Sequence, residues 1–224
     1  MGLPKNKVKI GWSPEFAYAI GLLVTDGSLS KDGRHINFTS KDLDLIETFK
    51  KCLHLENKVG TKTGYRRIKN IFQIQFGDVN FYRFLLSIGL MPNKTKILKK
   101  IAIPEEYFFD FLRGHFDGDG SFNSYWDPRW KSSFMFYMNF VSASENHIKW
   151  LRNRIFETLQ IRGHVSKARL SSCYQLRYAK KESLKLLDKL YYRKVVCLHR
   201  KYLKIRDALF IISKLLKKSN ARVV

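Results

Sequence analysis

Apolar and polar positions along this 224-residue chain follow two periods in alternation, and the alternation occurs twice. From Pro14 to Thr25 the chain is almost continuously apolar or small, which predicts a buried helix of about three turns. Ser13 stands as its N-cap, and Pro14 takes the first helical position, where a missing N–H costs nothing. The segment His35-Ile36-Asn37-Phe38-Thr39 then alternates polar and apolar as a half-buried strand does. Lys41–Leu53 returns to the helical period, with Leu45, Ile46, Phe49 and Leu53 on one face and Ser40 as its expected cap. A strand pair ending in Ile71–Phe76 and a helix near Val79–Ile88, closed by Gly89, complete the first half.

The second half repeats that order: helix, two strands, helix, two strands, helix. Asn37-Phe38-Thr39-Ser40 corresponds to Asn139-Phe140-Val141-Ser142, and Phe72-Gln73-Ile74-Gln75-Phe76 to Tyr174-Gln175-Leu176-Arg177-Tyr178. Both pairs stand at one constant offset, as a duplicated unit requires. Ahead of them the spacing is shorter, which predicts extra residues around Tyr125–Lys131 in the second copy's first hairpin. Alternation on the strands predicts Ile36, Phe38, Phe72, Ile74, Phe76, Met138, Phe140, Tyr174 and Leu176 facing inward. Residues 91–104, with four lysines between two prolines, read as a linker. Lys201–Lys218 reads as a basic helix that closes the core through Leu203, Leu209, Ile212, Leu215 and Leu216.

Both leading helices end in the same way. Gly21 precedes Asp26-Gly27-Ser28-Leu29, and Gly114 precedes Asp119-Gly120-Ser121-Phe122, so each helix delivers one acid to a turn followed by a strand. Ala17, Gly21 and Thr25 make one small-residue face, and Gly114 and Gly118 another, so the two helices can approach closely. Their ends would then set Asp26 and Asp119 side by side, with Gly27 and Gly120 allowing a sharp exit. Asp117 faces no acid at the matching Val24 and reads as a structural or tuning acid.

Composition narrows the partner. Hydrophobic residues are 45% of the chain and aromatics 14%, which excludes disorder. No apolar run approaches the roughly 18–20 residues that span a bilayer, so no membrane is expected as a partner. The net charge of +23 is spread over both halves, which points to a polyanion, nucleic acid first. Cys52, Cys173 and Cys197 are odd in number and widely separated, which indicates neither a disulfide framework nor a zinc site. No histidine lies at ligand spacing, and His115 reads as a packed helix residue. The start of the chain carries no apolar signal core. The expected location is intracellular, in the cytoplasm or nucleoid of a prokaryote or an organelle matrix.

The paired signatures, above all Phe111-Leu112-Arg113-Gly114-His115-Phe116-Asp117-Gly118-Asp119-Gly120-Ser121, resemble the LAGLIDADG homing endonucleases, specifically the single-chain class with two motifs. The resemblance implies an α+β fold of two pseudo-twofold αββαββα repeats, whose two antiparallel sheets form a DNA-binding saddle with the motif helices packed between them. It divides the chain into repeats over residues 1–90 and 105–192, a basic linker over 91–104 and a basic helical extension over 193–224. It implies a monomer that makes a staggered, metal-dependent double-strand break at a long asymmetric DNA target. Mg²⁺ would be held by Asp26 and Asp119 with the backbone carbonyls of Thr25 and Gly118. Mn²⁺ would substitute, and Ca²⁺ would bind without supporting cleavage. Lys94 and Lys201 match the family's catalytic lysines, with Lys194 and Arg200 competing for the second role. Gln73 and Gln175 either position water or read bases. DNA contacts would come from Ser28, Ser30, His35, Asn37, Thr39, Arg66, Arg67, Lys69, Gln73 and Gln75 in the first half. Ser121, Asn123, Lys131, Tyr137, Asn139, Arg169, Gln175 and Arg177 would supply them in the second. Two alternatives stay open on the same scaffold: an RNA maturase acting on its own intron RNA, and a DNA-binding regulator that does not cut.

Overall fold

The computed structural model describes residues 6–62, 71–168 and 172–220. The first half runs α1 (Pro14–Asp26), β1 (Gly27–Leu29), β2 (His35–Ser40), α2 (Leu43–Leu53), β3 (Gly60–Lys62), β4 (Ile71–Gly77) and α3 (Val79–Ser87). The second runs α4 (Phe108–Asp119), β5 (Ser121–Trp126), β6 (Phe134–Ser142), α5 (Glu145–Leu159), β7 (His164–Lys167), β8 (Tyr174–Ala179) and α6 (Lys180–Leu190), followed by α7 (His199–Asn220). Each half builds one antiparallel four-stranded sheet, in the orders β1-β2-β4-β3 and β5-β6-β8-β7. The fold is therefore a duplicated α+β architecture. The central ladders match residue for residue: Asn37 pairs with Gln75 as Asn139 pairs with Arg177. The first hairpins differ. β1 pairs with β2 over three residues, whereas β5 pairs with β6 over six, from Ser121 opposite Asn139 to Trp126 opposite Phe134.

The alternation read from the strands holds. Ile36, Phe38, Ile74 and Phe76 are buried under α1 and α2, where Phe38 stacks on Phe49 at a centroid distance of 4.4 Å. Met138, Phe140, Leu176 and Tyr178 are their buried counterparts in the second sheet. Phe72 and Tyr174 sit half-buried at the core's edge. Burying each large apolar side chain stabilises by about 1.5–3 kcal/mol, so this one-sided pattern sets the register of both sheets.

Between the sheets α1 and α4 meet backbone to backbone. A Cβ on Gly21 would lie 2.2 Å from the carbonyl oxygen of Phe111, and one on Gly114 would lie 2.0 Å from that of Tyr18. The two contacts are reciprocal, since Phe111 and Tyr18 each stand three residues before the partner glycine. Any side chain at either position would separate the helices.

Some expectations are corrected in detail. Ser13 does cap α1, accepting from the amide of Phe16 at 3.1 Å. Ser40, however, is the last residue of β2 and accepts from the amide of Asp42, which is the residue before α2. The chain leaves α1 and α4 at Gly27 and Gly120 with φ of −86° and −76°, so neither exit uses the left-handed region. The inward face of α7 carries Lys201, Ile205, Ala208 and Ile212, while Leu203 is half-buried and Leu209 exposed. The stripe is rotated from the expected one because Lys201 itself points inward. Residues 91–104 are packed, with Lys94 in a short 3-10 helix and Leu98 and Ile101 buried.

Candidate functional site at the paired helix ends

The reciprocal glycine contact brings the C-terminal ends of α1 and α4 together, and with them Asp26 and Asp119. Desolvation raises the Asp26 carboxyl first, and the neighbouring Asp119 charge adds to it, so its pKa is pushed up to about 6. The Thr25 hydroxyl, 3.3 Å from Asp26 Oδ2, works in the opposite direction, as do the charges of Lys201 and Lys94. Surrounding protein raises Asp119 as well, although its side chain stays open to solvent. Gly118 is packed against the first acid, because a Cβ there would lie 2.8 Å from Asp26 Oδ2 and 2.0 Å from the Thr25 hydroxyl.

Two buried lysines reach the helix ends from below. Lys94 Nζ donates to the carbonyls of Gly27 at 2.6 Å and Thr25 at 3.3 Å. Lys201 Nζ donates to Gly120 at 2.6 Å, Phe116 at 2.6 Å, Asp117 at 2.8 Å and Gly118 at 3.4 Å. Carbonyls left over at a helix C-terminus carry partial negative charge, so an ammonium there caps the helix. Desolvation lowers both lysines, Lys201 to about 8. Of the basic residues left open in the second half, Lys201 is the one at the end of α4. Lys194 is exposed, and Arg200 makes a bidentate bridge to Asp42 at 2.7–3.0 Å.

The donor set suits a hard divalent cation. Two carboxylates repel each other here, and a dication between them would relieve that repulsion. The carbonyls of Thr25 and Gly118 are the loosest lysine acceptors in their halves, at 3.3 and 3.4 Å. Among the described residues no group of three or more His, Cys, Asp or Glu side chains could cage a metal, so water or substrate oxygens would have to complete its shell.

Behind the acids, Asp117 is 1% exposed and accepts from the hydroxyl of Tyr18 at 2.8 Å and the amide of Leu198 at 2.7 Å. Arg113, also 1% exposed, pairs with Asp110 at 2.8 Å and donates to the carbonyls of Leu190 and Val196. The sequence marked Asp117 as a structural or tuning acid but named neither its partners nor the Arg113–Asp110 pair. An Arg inside an apolar helix with an Asp three residues earlier was the available signal for the second pair.

Most of the remaining candidate residues lie on the strands, while Ser30 and Lys131 lie in the hairpin connections. Ser28, Gln75, Asn123, Lys131 and Arg177 are exposed, while Ser30, His35, Asn37, Thr39, Gln73, Ser121, Tyr137 and Gln175 are half-buried. Asn139 is only 4% exposed, because it donates to Ser121 and accepts from Arg177 Nε at 3.0 Å. Gln73 and Gln175 sit on β4 and β8, two strands away from those that follow the acids, which groups them with the sheet face. Arg66, Arg67, Lys69 and Arg169 lie outside the described residues. The outer faces differ in character: the second carries Arg177 over the ring of Tyr137, which stacks on Tyr125, and the first carries His35, Asn37, Thr39, Gln73 and Gln75.

Residues 13–89 match the family described as LAGLIDADG-like domain, and residues 108–210 match the WhiA LAGLIDADG-like domain. No curated protein matches the sequence. Among solved structures, that of the I-LtrWI LAGLIDADG homing endonuclease bound to target DNA is 14% identical with a TM-score of 0.60, covering 90% of this chain and 91% of that one. I-DmoI in complex with DNA and Mn is 13% identical with a TM-score of 0.53, over 80% and 98% of the chains. Full-length DUF199/WhiA from Thermatoga maritima is 17% identical with a TM-score of 0.55, over 96% of this chain and 72% of that one. At these identities the structural matches establish the fold. With a domain of that family in each half and a motif helix from each at the interface, the chain belongs to the LAGLIDADG family.

Proposed function

We propose that this protein is a site-specific DNA endonuclease that cuts both strands of a long asymmetric target in a metal-dependent reaction. The observation that carries the reading is the pairing of Asp26 and Asp119 at two adjoining helix ends, each backed by a buried lysine. Asp26 and Asp119 would hold a Mg²⁺ ion, with the Thr25 and Gly118 carbonyls beside them, and the ion would supply a Lewis acid for the phosphate and for an attacking water. Lys94 and Lys201 keep the helix ends in place and offset the negative charge that builds at the phosphate. The sheets straddle the duplex, and Asn37, Gln75, Asn139 and Arg177 on their outer faces read base edges in the major groove. Because Gln75 and Arg177 stand at matching positions, the half-sites differ in sequence. The net charge of +23 supports a polyanionic partner, and affinity should fall steeply with salt. One chain supplies both halves of the site, so it acts as a monomer.

A second reading is a protein on the same scaffold that binds DNA without cutting. The WhiA-type match over residues 108–210 favours it. One experiment separates the two. The protein is incubated with a randomised duplex library and Mg²⁺, and the ends produced are sequenced beside Asp26→Asn and Asp119→Asn. Ends that share one long site, and that vanish in either variant, support the endonuclease. Selective binding of one sequence with no cut in Mg²⁺ or Mn²⁺ overturns it and leaves the non-cleaving reading.

A further inference from the structure

The two lysines beneath the helix ends are held by different means. Lys94 lies in the short 3-10 helix Lys94–Lys96, and the chain just beyond it is tied to the second half. There Ser144 donates to the carbonyl of Leu98, and His147 Nδ1 lies 2.7 Å from that of Lys99. Lys201 is held from its own motif helix. The amide of Leu198 is bound by Asp117 Oδ2 at 2.7 Å, and the carbonyl of Leu198 accepts from the amides of Lys201 and Tyr202 at 3.0 and 3.1 Å to start α7. Asp117 thus fixes the residue from which the helix bearing Lys201 begins. The first half offers no such contact, because Val24 stands at the matching position.

Keeping an acid there is costly. Asp117 is 1% exposed and its Oδ1 lacks a hydrogen-bond partner, whereas a valine would bury without penalty. We infer that Asp117 is a positioning residue which, through the amide of Leu198, sets Lys201 beneath the end of α4 and so serves one of the two strand cuts selectively. The consequence for cleavage rests on the endonuclease reading; the consequence for Lys201 does not.

Two measurements test it on the full-length protein. In the first, an amine-acetylating reagent labels lysines and mass spectrometry gives the rates at Lys201 and Lys94. Asp117→Val should speed labelling of Lys201 about tenfold relative to Lys94, the effect of losing a hydrogen bond to a charged group. Asp117→Asn keeps an acceptor for Leu198 but loses the charge that holds up the Lys201 ammonium, so labelling of Lys201 should rise less than in Asp117→Val. Tyr18→Phe removes the other hydrogen bond of Asp117 and should leave Lys201 unmoved. In the second, each strand of the target is end-labelled, and Asp117→Val should slow one strand about tenfold more than the other, so that nicked duplex accumulates. If Asp117→Val does not fold, Asp117→Ala, which removes the acceptor without adding bulk, carries both measurements. The inference is overturned if Lys201 labels at the wild-type rate, if Tyr18→Phe shifts it equally, or if wild type cuts and the variant slows both strands alike. A wild type that cuts no duplex sinks the endonuclease reading, while the labelling still decides the positioning role.

Discussion

The two halves share one backbone plan and stabilise it with different chemistry. In the first, the motif helix and the helix packed beside its sheet carry Leu22, Val24 and Leu45 toward the interior. In the second, the matching positions carry His115, Asp117 and His147, all buried. The histidine rings stack at 5.2 Å, and Asp117 joins a network with Tyr18 and the start of α7. The contacts that tie each half to the other differ likewise. Ser144, the residue before α5, reaches a buried carbonyl, whereas Asp42, the residue before α2, meets Arg200 in an exposed ion pair. A duplicated fold needs only the shape of its core and the contact between its motif helices to be preserved. Once those are met, one copy can remain apolar and the other can take on polar groups that hold side chains at the site.

The comparison breaks most sharply at the acids, which are equivalent despite the unlike support behind them. Asp26→Asn and Asp119→Asn should each lower Mg²⁺-dependent cleavage by about a thousandfold or more while DNA binding persists. A large effect from one acid and a small one from the other would show that the halves are functionally unequal. Next come the reciprocal glycines. Gly21→Ala and Gly114→Ala each press a Cβ onto a carbonyl that cannot rotate away, so each should cost about 3 kcal/mol or more in urea unfolding. A marked inequality would mean that one helix can yield.

Acid should expose the polar half. Desolvation lowers His147 to about 4 and His115 well below its usual range, so both are neutral in the fold. The unfolded chain takes up these protons near pH 6.5, and stability is therefore lost as pH falls from about 6.5 toward 4. Asp26, raised to about 6, acts in the opposite sense and gains stability over much of that window. Comparing wild type with the double variant His115→Leu/His147→Leu, which copies the first half, isolates the histidines. Between pH 7 and 5 the thermal midpoint of wild type should fall roughly 5 °C further than that of the variant. The smallest contrast lies in the clasps. Ser144→Ala strands the carbonyl of Leu98 and should cost about 1–2 kcal/mol at any salt, against about 0.5 kcal/mol for Arg200→Ala at low salt and less at high salt.

Much of this was legible in the sequence. The constant offset between Asn37-Phe38 and Asn139-Phe140, the alternation on β2, β4, β6 and β8, and the small-residue face at Gly21 and Gly114 are local patterns. Each depends on a period of two or about four residues that the chain carries by itself. The acids at Asp26 and Asp119 and the long second hairpin followed from the same repeats. The cap of α2 was misplaced because Ser40 and Asp42 both suit a helix start, and strand pairing claims Ser40. The face of α7 was misjudged because only apolar residues were counted toward its packing stripe, whereas the Lys201 ammonium has carbonyls to bind inside.

Sequence alone determined that the chain is two copies of one unit with an acid at the end of each leading helix, because periodicity and repetition are properties of the chain. Tertiary structure decided which lysine meets which helix end, that Asp117 holds Leu198, and that Arg200 reaches Asp42. Those partners are separated by 67 to 158 residues. Contacts at such range arise only once the packing of α1 on α4 has set where the trailing segment of each half can run.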